Sequence, residues 1–182
     1  MSNNRFHVRE MTIDDLEHFI NYWLEATPEF LSKMGVDVDK RPQRDALFKL
    51  VVDQFKVPLE LRKNYFLFWL LDDKPVGYSN INQIEFSKQA FMHLHLWQPE
   101  NRQRGLGMTF IKKSLPFYFE NFKLKSLLCE PYALNPAPNR VVEKIGFQFV
   151  KTYRTIPGAS NFEQFVSQWK LSRAAFEKII ES

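Results

Sequence analysis

The chain has 182 residues, 45% of them apolar, which suits one hydrophobic core and a single domain over 1–182. Twenty-five basic against 21 acidic residues give a net charge of +4 without a basic run, which argues against nucleic acid and suits a cationic mouth for a polyphosphate. One cysteine excludes an internal disulfide, no apolar run reaches membrane-spanning length, and the polar start Met1-Ser2-Asn3-Asn4-Arg5 is no signal peptide, so a cytoplasmic protein without membrane contact is expected.

In chain order, Phe6-His7-Val8-Arg9 alternates as a first strand. Thr12 then caps a helix with acid in its first turn, whose Leu16, Phe19, Ile20, Trp23 and Leu24 line one face. Residues 27–41 read as irregular, and 43–55 as a second amphipathic helix. Strands 65–71 and 76–84 flank the polar turn Asp72-Asp73-Lys74-Pro75 as a hairpin. A strand over 90–97, a helix over 106–121 and a strand over 126–130 follow. The chain closes with a short helix 137–145, strands 147–156 and 162–171, and a last helix 173–180 capped by Ser172. No repeat, linker or low-complexity tract interrupts it.

The junction between strand 90–97 and helix 106–121 carries the chemistry. Glycines at 105 and 107 remove Cβ atoms where a backbone must approach something bulky. The free amides of that helix start, with its dipole, make a site for phosphate, and Arg102 and Arg104 flank it. A dinucleotide fingerprint needs a third glycine inside a βαβ unit, and a P-loop needs Gly-Lys-Ser/Thr; neither is present. What stands is Arg102-x-x-Gly105-x-Gly107.

This pattern resembles the (Q/R)-x-x-G-x-(G/A) motif of the GNAT acyltransferases, in which the turn holds the diphosphate of acetyl-CoA. A second block, Cys129-Glu130-Pro131-Tyr132-Ala133-Leu134-Asn135 ahead of Glu143-Lys144-Ile145-Gly146-Phe147, is similar to the family's later segment, a strand ending at Asn, a short helix and E-K-x-G-F. The resemblance implies an α/β fold built on one mixed, mostly antiparallel sheet with helices on both faces. Its fourth and fifth strands, here 90–97 and 126–130, would splay to admit the pantetheine arm. Acetyl-CoA is the implied cosubstrate, without a metal, contacted by Leu96, Trp97, Arg102, Gln103, Arg104, Gly105, Leu106, Gly107, Met108, Asn135 and Asn139. Asn135 has two readings, a holder of pantetheine amides or a cap of the helix after it.

Acyl transfer to an amine needs a base, because an alkylammonium has a pKa near 10.4. His93 and His95, two apart on a strand, share one face with Phe91 and Trp97, while Met92, Leu94 and Leu96 take the core face. An imidazole titrates close enough to neutrality to accept that proton. The alternatives are two histidines on a half-exposed strand or a pair of metal ligands, the latter without an obvious third partner.

His93-Leu94 ahead of Pro99-Glu100, and Glu130-Pro131 ahead of Asn135, resemble the siderophore hydroxylamine acetyltransferases, and the segment from Gly146 to Glu177 is similar to aminoglycoside 6'-N-acetyltransferases. Within that likeness His93 matches the base better than His95. Those siderophore enzymes carry E-P-D where this chain has Glu130-Pro131-Tyr132, so Tyr132 stands as proton donor or as packing, and Glu130 as the nearest acid. Val142 and Pro138 stand where family members place a Tyr or Ser acid, and neither donates a proton. Cys129 reads as core; Trp23, Phe30, Met34 and Trp69 read as core or as lining of an acceptor pocket.

The resemblance implies direct acetyl transfer to the nitrogen of a small amine, aminoglycoside-like or hydroxylamine acceptor. Two other readings stay open, a silent acyl-CoA-binding module and a protein N-terminal or lysine acetyltransferase. The latter needs an open peptide groove, which a bulky segment at 27–41 would disfavour. The long Phe-rich hairpin is compatible with a homodimer.

Overall fold

The computed structural model describes residues 5–97 and 105–181; Arg102, Gln103 and Arg104 of the expected coenzyme turn lie outside the described residues. The elements run β1 (Phe6–Glu10), α1 (Leu16–Leu24), α2 (Pro28–Lys33), α3 (Arg44–Phe55), β2 (Asn64–Leu71), β3 (Lys74–Glu85) and β4 (Gln89–Leu96). They continue with α4 (Leu106–Asn121), β5 (Ser126–Cys129), α5 (Pro136–Ile145), β6 (Gln148–Thr155), β7 (Gln164–Ser172) and α6 (Arg173–Glu181). Seven strands form one sheet in the order β1-β2-β3-β4-β5-β7-β6. Every neighbouring pair is antiparallel except β4 and β5, which run parallel. The mixed α/β architecture read from the sequence is thus the one observed.

Strand alternation sorts the side chains into two cores. Leu67, Trp69, Met92, Leu127, Cys129 and Leu171 turn to one face, where Phe110, Ile111, Leu115, Tyr118 and Phe119 of α4 and Phe176 of α6 cover them. Phe66, Phe68 and Tyr78 turn to the other, against Phe19 and Ile20 of α1 and Leu47 and Val51 of α3. Trp69, one of the residues with an open reading, belongs to the α4 side: it stacks on Phe110 at 5.1 Å and donates through Nε1 to Ser114 Oγ. It is core, not an acceptor wall.

Three local expectations are corrected. Residues 27–41 are not irregular throughout, because Thr27 accepts from the Phe30 amide and Pro28 stands at the first helical position, which together start α2. The helix expected directly after Thr12 begins with a 3₁₀ turn, Ile13–Asp15. There the buried Asp15 carboxylate accepts from the Thr12 amide at 2.8 Å and from both terminal nitrogens of Arg9 at 2.6 and 2.8 Å. The β2–β3 turn is tighter than the four residues read for it. Asp72 and Asp73 alone take positive φ, 49° and 61°, and the strand resumes at Lys74.

Candidate active site

The parallel pair at the centre of the sheet is short. β4 and β5 are in register at three positions, Gln89 with Ser126, Ala90 with Leu127 and Phe91 with Leu128. Beyond them β4 follows β3 as far as Leu96, whereas β5 stays with Trp169 of β7. The two strands part where the sequence reading put the gap.

Helix α4 begins beside that gap. Gly105 takes φ +70°, a left-handed conformation that glycine adopts without the strain of a Cβ. The first ladder bonds are donated by Met108 and Thr109 to the Gly105 carbonyl, so the amides of Leu106 and Gly107 precede the ladder. Among the described residues, a Cβ on Gly107 would meet Leu96 Cδ1 at 3.5 Å, an ordinary contact. These amides and the helix dipole fit an anionic diphosphate.

His93 and His95 lie on the face of β4 turned to α1 and α3, as alternation requires, yet their surroundings differ. His93 pairs across the strands with Asn80, and its Nε2 is sealed from solvent without a hydrogen-bond partner, as is Asn82 Oδ1. Burial pushes its imidazole down to about 4, so the ring is neutral near pH 7. His95 stacks on Tyr78 with ring centres 4.7 Å apart and meets the edges of Trp23 and Tyr22 at 5.3 and 5.4 Å. Its Nδ1 lies 3.0 Å from Tyr22 Oη, and Trp23 Nε1 donates to Tyr78 Oη at 2.9 Å. Trp97 stacks on His18 and packs edge-on against Phe68 at the rim of this aromatic group. Phe30 and Met34 close on Tyr22 from α2 and its C-terminus.

Across the gap, Glu130 Oε1 accepts from Tyr153 Oη at 2.6 Å and from Gln168 Nε2 at 2.5 Å, so that oxygen faces β6 and β7 rather than the imidazoles. Burial, and then the bond to Glu130, push the Tyr153 phenol up to about 12. Tyr132 pairs through its backbone with Val166 and sets its ring edge-on to Phe162. Asn135 Oδ1 accepts from the Ala137 amide, capping α5. The Asn139 amide donates to the Tyr132 and Asn135 carbonyls and accepts from Trp169 Nε1, so both of its ends are engaged inside the protein. Cys129 is buried, and desolvation pushes its thiol up to about 12, which disfavours a thiolate there and matches its reading as core. Among the described residues no group of three or more His, Cys, Asp or Glu is arranged to hold a metal ion. No helix among them is long and apolar enough to cross a membrane.

The segment after α2 ties the two half-sheets together on the histidine face. At one end Tyr22 Oη, beside β4, donates to Met34 Sδ at 3.4 Å. At the other, the Gly35 carbonyl accepts from Asn161 Nδ2 at 2.8 Å and from Gln164 Nε2, on β7, at 2.7 Å. Val36 pairs with Asn161, and the Asp37 amide donates to the Ser160 carbonyl at 2.8 Å. Residues 34–37 therefore form a strap from Tyr22 of α1, itself against His95 of β4, to Asn161 and to Gln164 at the start of β7.

Sequence reasoning singled out the histidines but not Tyr22, Tyr78 or the Tyr153–Gln168 pair. Tyr22 stands three residues after Phe19 of the α1 apolar stripe, a helical spacing that could have drawn it in. Nothing local marks Tyr153 or Gln168.

The family model for the acetyltransferase (GNAT) domain matches residues 5–148, and the chain belongs to this family. It is an acetyl-CoA-dependent N-acetyltransferase by that membership. Solved structures agree in fold. The ribosomal L7/L12 alpha-N-protein acetyltransferase RimL in complex with coenzyme A superposes with a TM-score of 0.76 at 13% identity, over 94% of this chain and 96% of that one. The aminoglycoside acetyltransferase AAC(6')-Ib in complex with coenzyme A and kanamycin gives 0.72 at 17% identity, over 95% and 98%. A mutant of the spermidine N-acetyltransferase SpeG from Vibrio cholerae gives 0.73 at 14%, over 96% and 97%. No curated protein matches the chain in sequence.

Proposed function

We propose that the protein moves an acetyl group from acetyl-CoA to the nitrogen of a small-molecule amine by direct attack in a ternary complex. The observation that carries this reading is the strap at 34–37, bonded to Tyr22 on one side and to Gln164 and Asn161 on the other. A segment bonded on both sides in this way, beside the histidine face, suits a compact acceptor and opposes an extended peptide. The structural neighbours that act on kanamycin-type and spermidine-type amines support the same class, whereas the RimL likeness favours the protein-acetylating alternative. An aminoglycoside, a polyamine and a hydroxylamine are the acceptors to try, the last by likeness to the siderophore enzymes.

In this reading the α4 amides of Leu106 and Gly107 hold the diphosphate, with Arg102, Gln103, Arg104, Gly105 and Met108 beside them and Leu96, Trp97, Asn135 and Asn139 along the pantetheine. The coenzyme supplies the acyl group as a thioester. The amine nitrogen bonds to the acyl carbon as the carbon–sulfur bond breaks, and the amine proton passes to an imidazole of β4 and on to the thiolate or solvent. A thiol with a pKa near 8.5 leaves without full protonation, so the lack of an acid at 142 and 138 does not bar turnover. Tyr132 and Glu130, on the far side of the gap, serve as donor and as anchor for a cationic acceptor.

An acceptor panel with thiol-release detection tests this, spanning aminoglycosides, polyamines, hydroxylysine and peptides. Release with a small amine and none with peptides is expected. Release with peptides alone establishes the protein-directed alternative, and thioester decay unchanged by every amine points to a silent binding module.

A further inference from the structure

Glu130 is held by one oxygen only. Alternation turns Leu127 and Cys129 to the α4 side of the sheet and therefore Glu130 to the histidine side. It stands two residues past the last β4–β5 pair, Phe91 with Leu128, as His93 does on the other strand, so the two are level across the parting strands. Both hydrogen bonds of its carboxylate, from Tyr153 Oη at 2.6 Å and Gln168 Nε2 at 2.5 Å, fall on Oε1. Oε2 accepts from no group among the described residues and is not sealed from solvent. Both donors are neutral, and none of the ion pairs among the described residues involves Glu130. The Lys151 ammonium lies instead over the Tyr153 ring, 4.4 Å from its centre. The unbalanced charge is felt nearby: burial first, and then Glu130, raise the Tyr153 phenol and the Cys129 thiol.

A half-buried carboxylate with neutral partners and one open oxygen calls for a cation. That cation is not the nitrogen that reacts. Contact with a carboxylate favours the protonated form of an amine, whereas the attacking nitrogen must be neutral. We propose that Tyr153 and Gln168 are positioning residues that hold Oε1 of Glu130 and leave Oε2 for a second, protonated nitrogen of the acceptor, which makes the acceptor a diamine or polyamine instead of a monoamine. The inference rests on the acetyl-transfer reading above and deepens it by naming the substrate class. Tyr153 and Gln168 reach the carboxylate from different strands, β6 and β7, and together restrict its rotation. The reacting amine then lies towards the β4 imidazoles and the charged one at Glu130, with the parted strands between them. Paired strands lie about 4.8 Å apart, so nitrogens that span a parted pair need a spacer of about three carbons or more.

Putrescine and butylamine share a four-carbon chain and differ by the second amine, so the ratio of their kcat/KM values reads the site. Putrescine is expected to be the better acceptor by about 10- to 100-fold, the effect of one charge-assisted contact. Glu130→Gln keeps the shape and removes the charge; it should raise the putrescine KM and bring the ratio towards one. Tyr153→Phe and Gln168→Leu keep the charge and free the carboxylate, and each should lower the ratio by about three- to tenfold. A merely structural role for these two residues would depress both acceptors alike and leave the ratio unmoved. A ratio near one in the unaltered protein, or one that survives Glu130→Gln, overturns the proposal. A ratio that survives both Tyr153→Phe and Gln168→Leu overturns their positioning role. If no small amine gives thiol release, the transfer reading falls, and calorimetry of putrescine against the protein with coenzyme A decides the site separately. Binding that is lost in Glu130→Gln upholds the cation site, and binding that is absent, or kept in that variant, overturns it.

Discussion

The side chain of Gln164 on β7 occupies the space that a Cβ on Gly35 would need, while its Nε2 donates to the Gly35 carbonyl at 2.7 Å. Gly35 also takes φ +81°, so glycine is required there by conformation and by contact at once. A Gly35→Ala substitution is expected to cost about 1–3 kcal/mol through strain and overpacking. The loss should concentrate in the strap: the acceptor KM rises more than the acetyl-CoA KM, and amides 34–37 exchange faster. A uniform loss across the sheet in hydrogen exchange contradicts this.

Asp15 is clamped by Arg9 and Thr12 at the entry to α1. Burial alone would raise its pKa, but the Arg9 and Thr12 hydrogen bonds together outweigh it and hold the carboxyl below its ordinary value. A depressed folded-state pKa gives stability that is full above the unfolded value near 3.9 and is lost as pH falls through the folded one. Asp15→Asn should therefore cost about 2 kcal/mol near pH 7, discounted because the Arg9 side chain is 35% exposed. Denaturant melts at pH 7 and pH 3 check it: the gap between variant and parent narrows at the lower pH.

The buried His93 loses stability in the same direction but at higher pH. Its folded value of about 4 lies below the ordinary 6.5, so the unfolded chain binds a proton first as acid is added. Stability from this group is full above pH 6.5 and declines by about 3 kcal/mol towards pH 4. Proton NMR should show one imidazole that stays neutral through pH 6, and His93→Leu should flatten the stability profile between pH 6.5 and 4. A His93 resonance titrating near 6.5 contradicts the sealed environment.

Gly107 offers a clean test of the anion site. Since among the described residues an added methyl meets Leu96 Cδ1 at an ordinary 3.5 Å, Gly107→Ala should leave stability within about 1 kcal/mol, helped by the better helix propensity of alanine. Isothermal calorimetry with acetyl-CoA should show at least a tenfold loss of affinity. Equal affinity means that the coenzyme does not approach this backbone closely.

Much of this was legible in the chain. Helix α4 is legible at its observed bounds, 106 to 121, because a glycine turn opens it and good helix formers fill its length. The sorting of Met92, Leu94 and Leu96 from His93 and His95 followed from strand alternation alone. α2 escaped because six residues carry no apolar period, although the Thr27-Pro28 start was there to see. The partners of the site residues were not legible. Tyr22 lies 73 residues from His95 in sequence, and Glu130 finds Tyr153 and Gln168 only through the insertion of β7 beside β5. Such long-range meetings depend on strand order, which periodicity does not carry.

That strand order has a consequence for biosynthesis. β7 sits between β5 and β6, so both wait with open hydrogen-bonding edges until residues 164–172 have left the ribosome. Phe149, on the waiting β6, is still 55% exposed in the finished fold. A nascent chain stalled before residue 164 would thus present sticky ribbons to its neighbours, and chaperone demand should peak in that interval of synthesis.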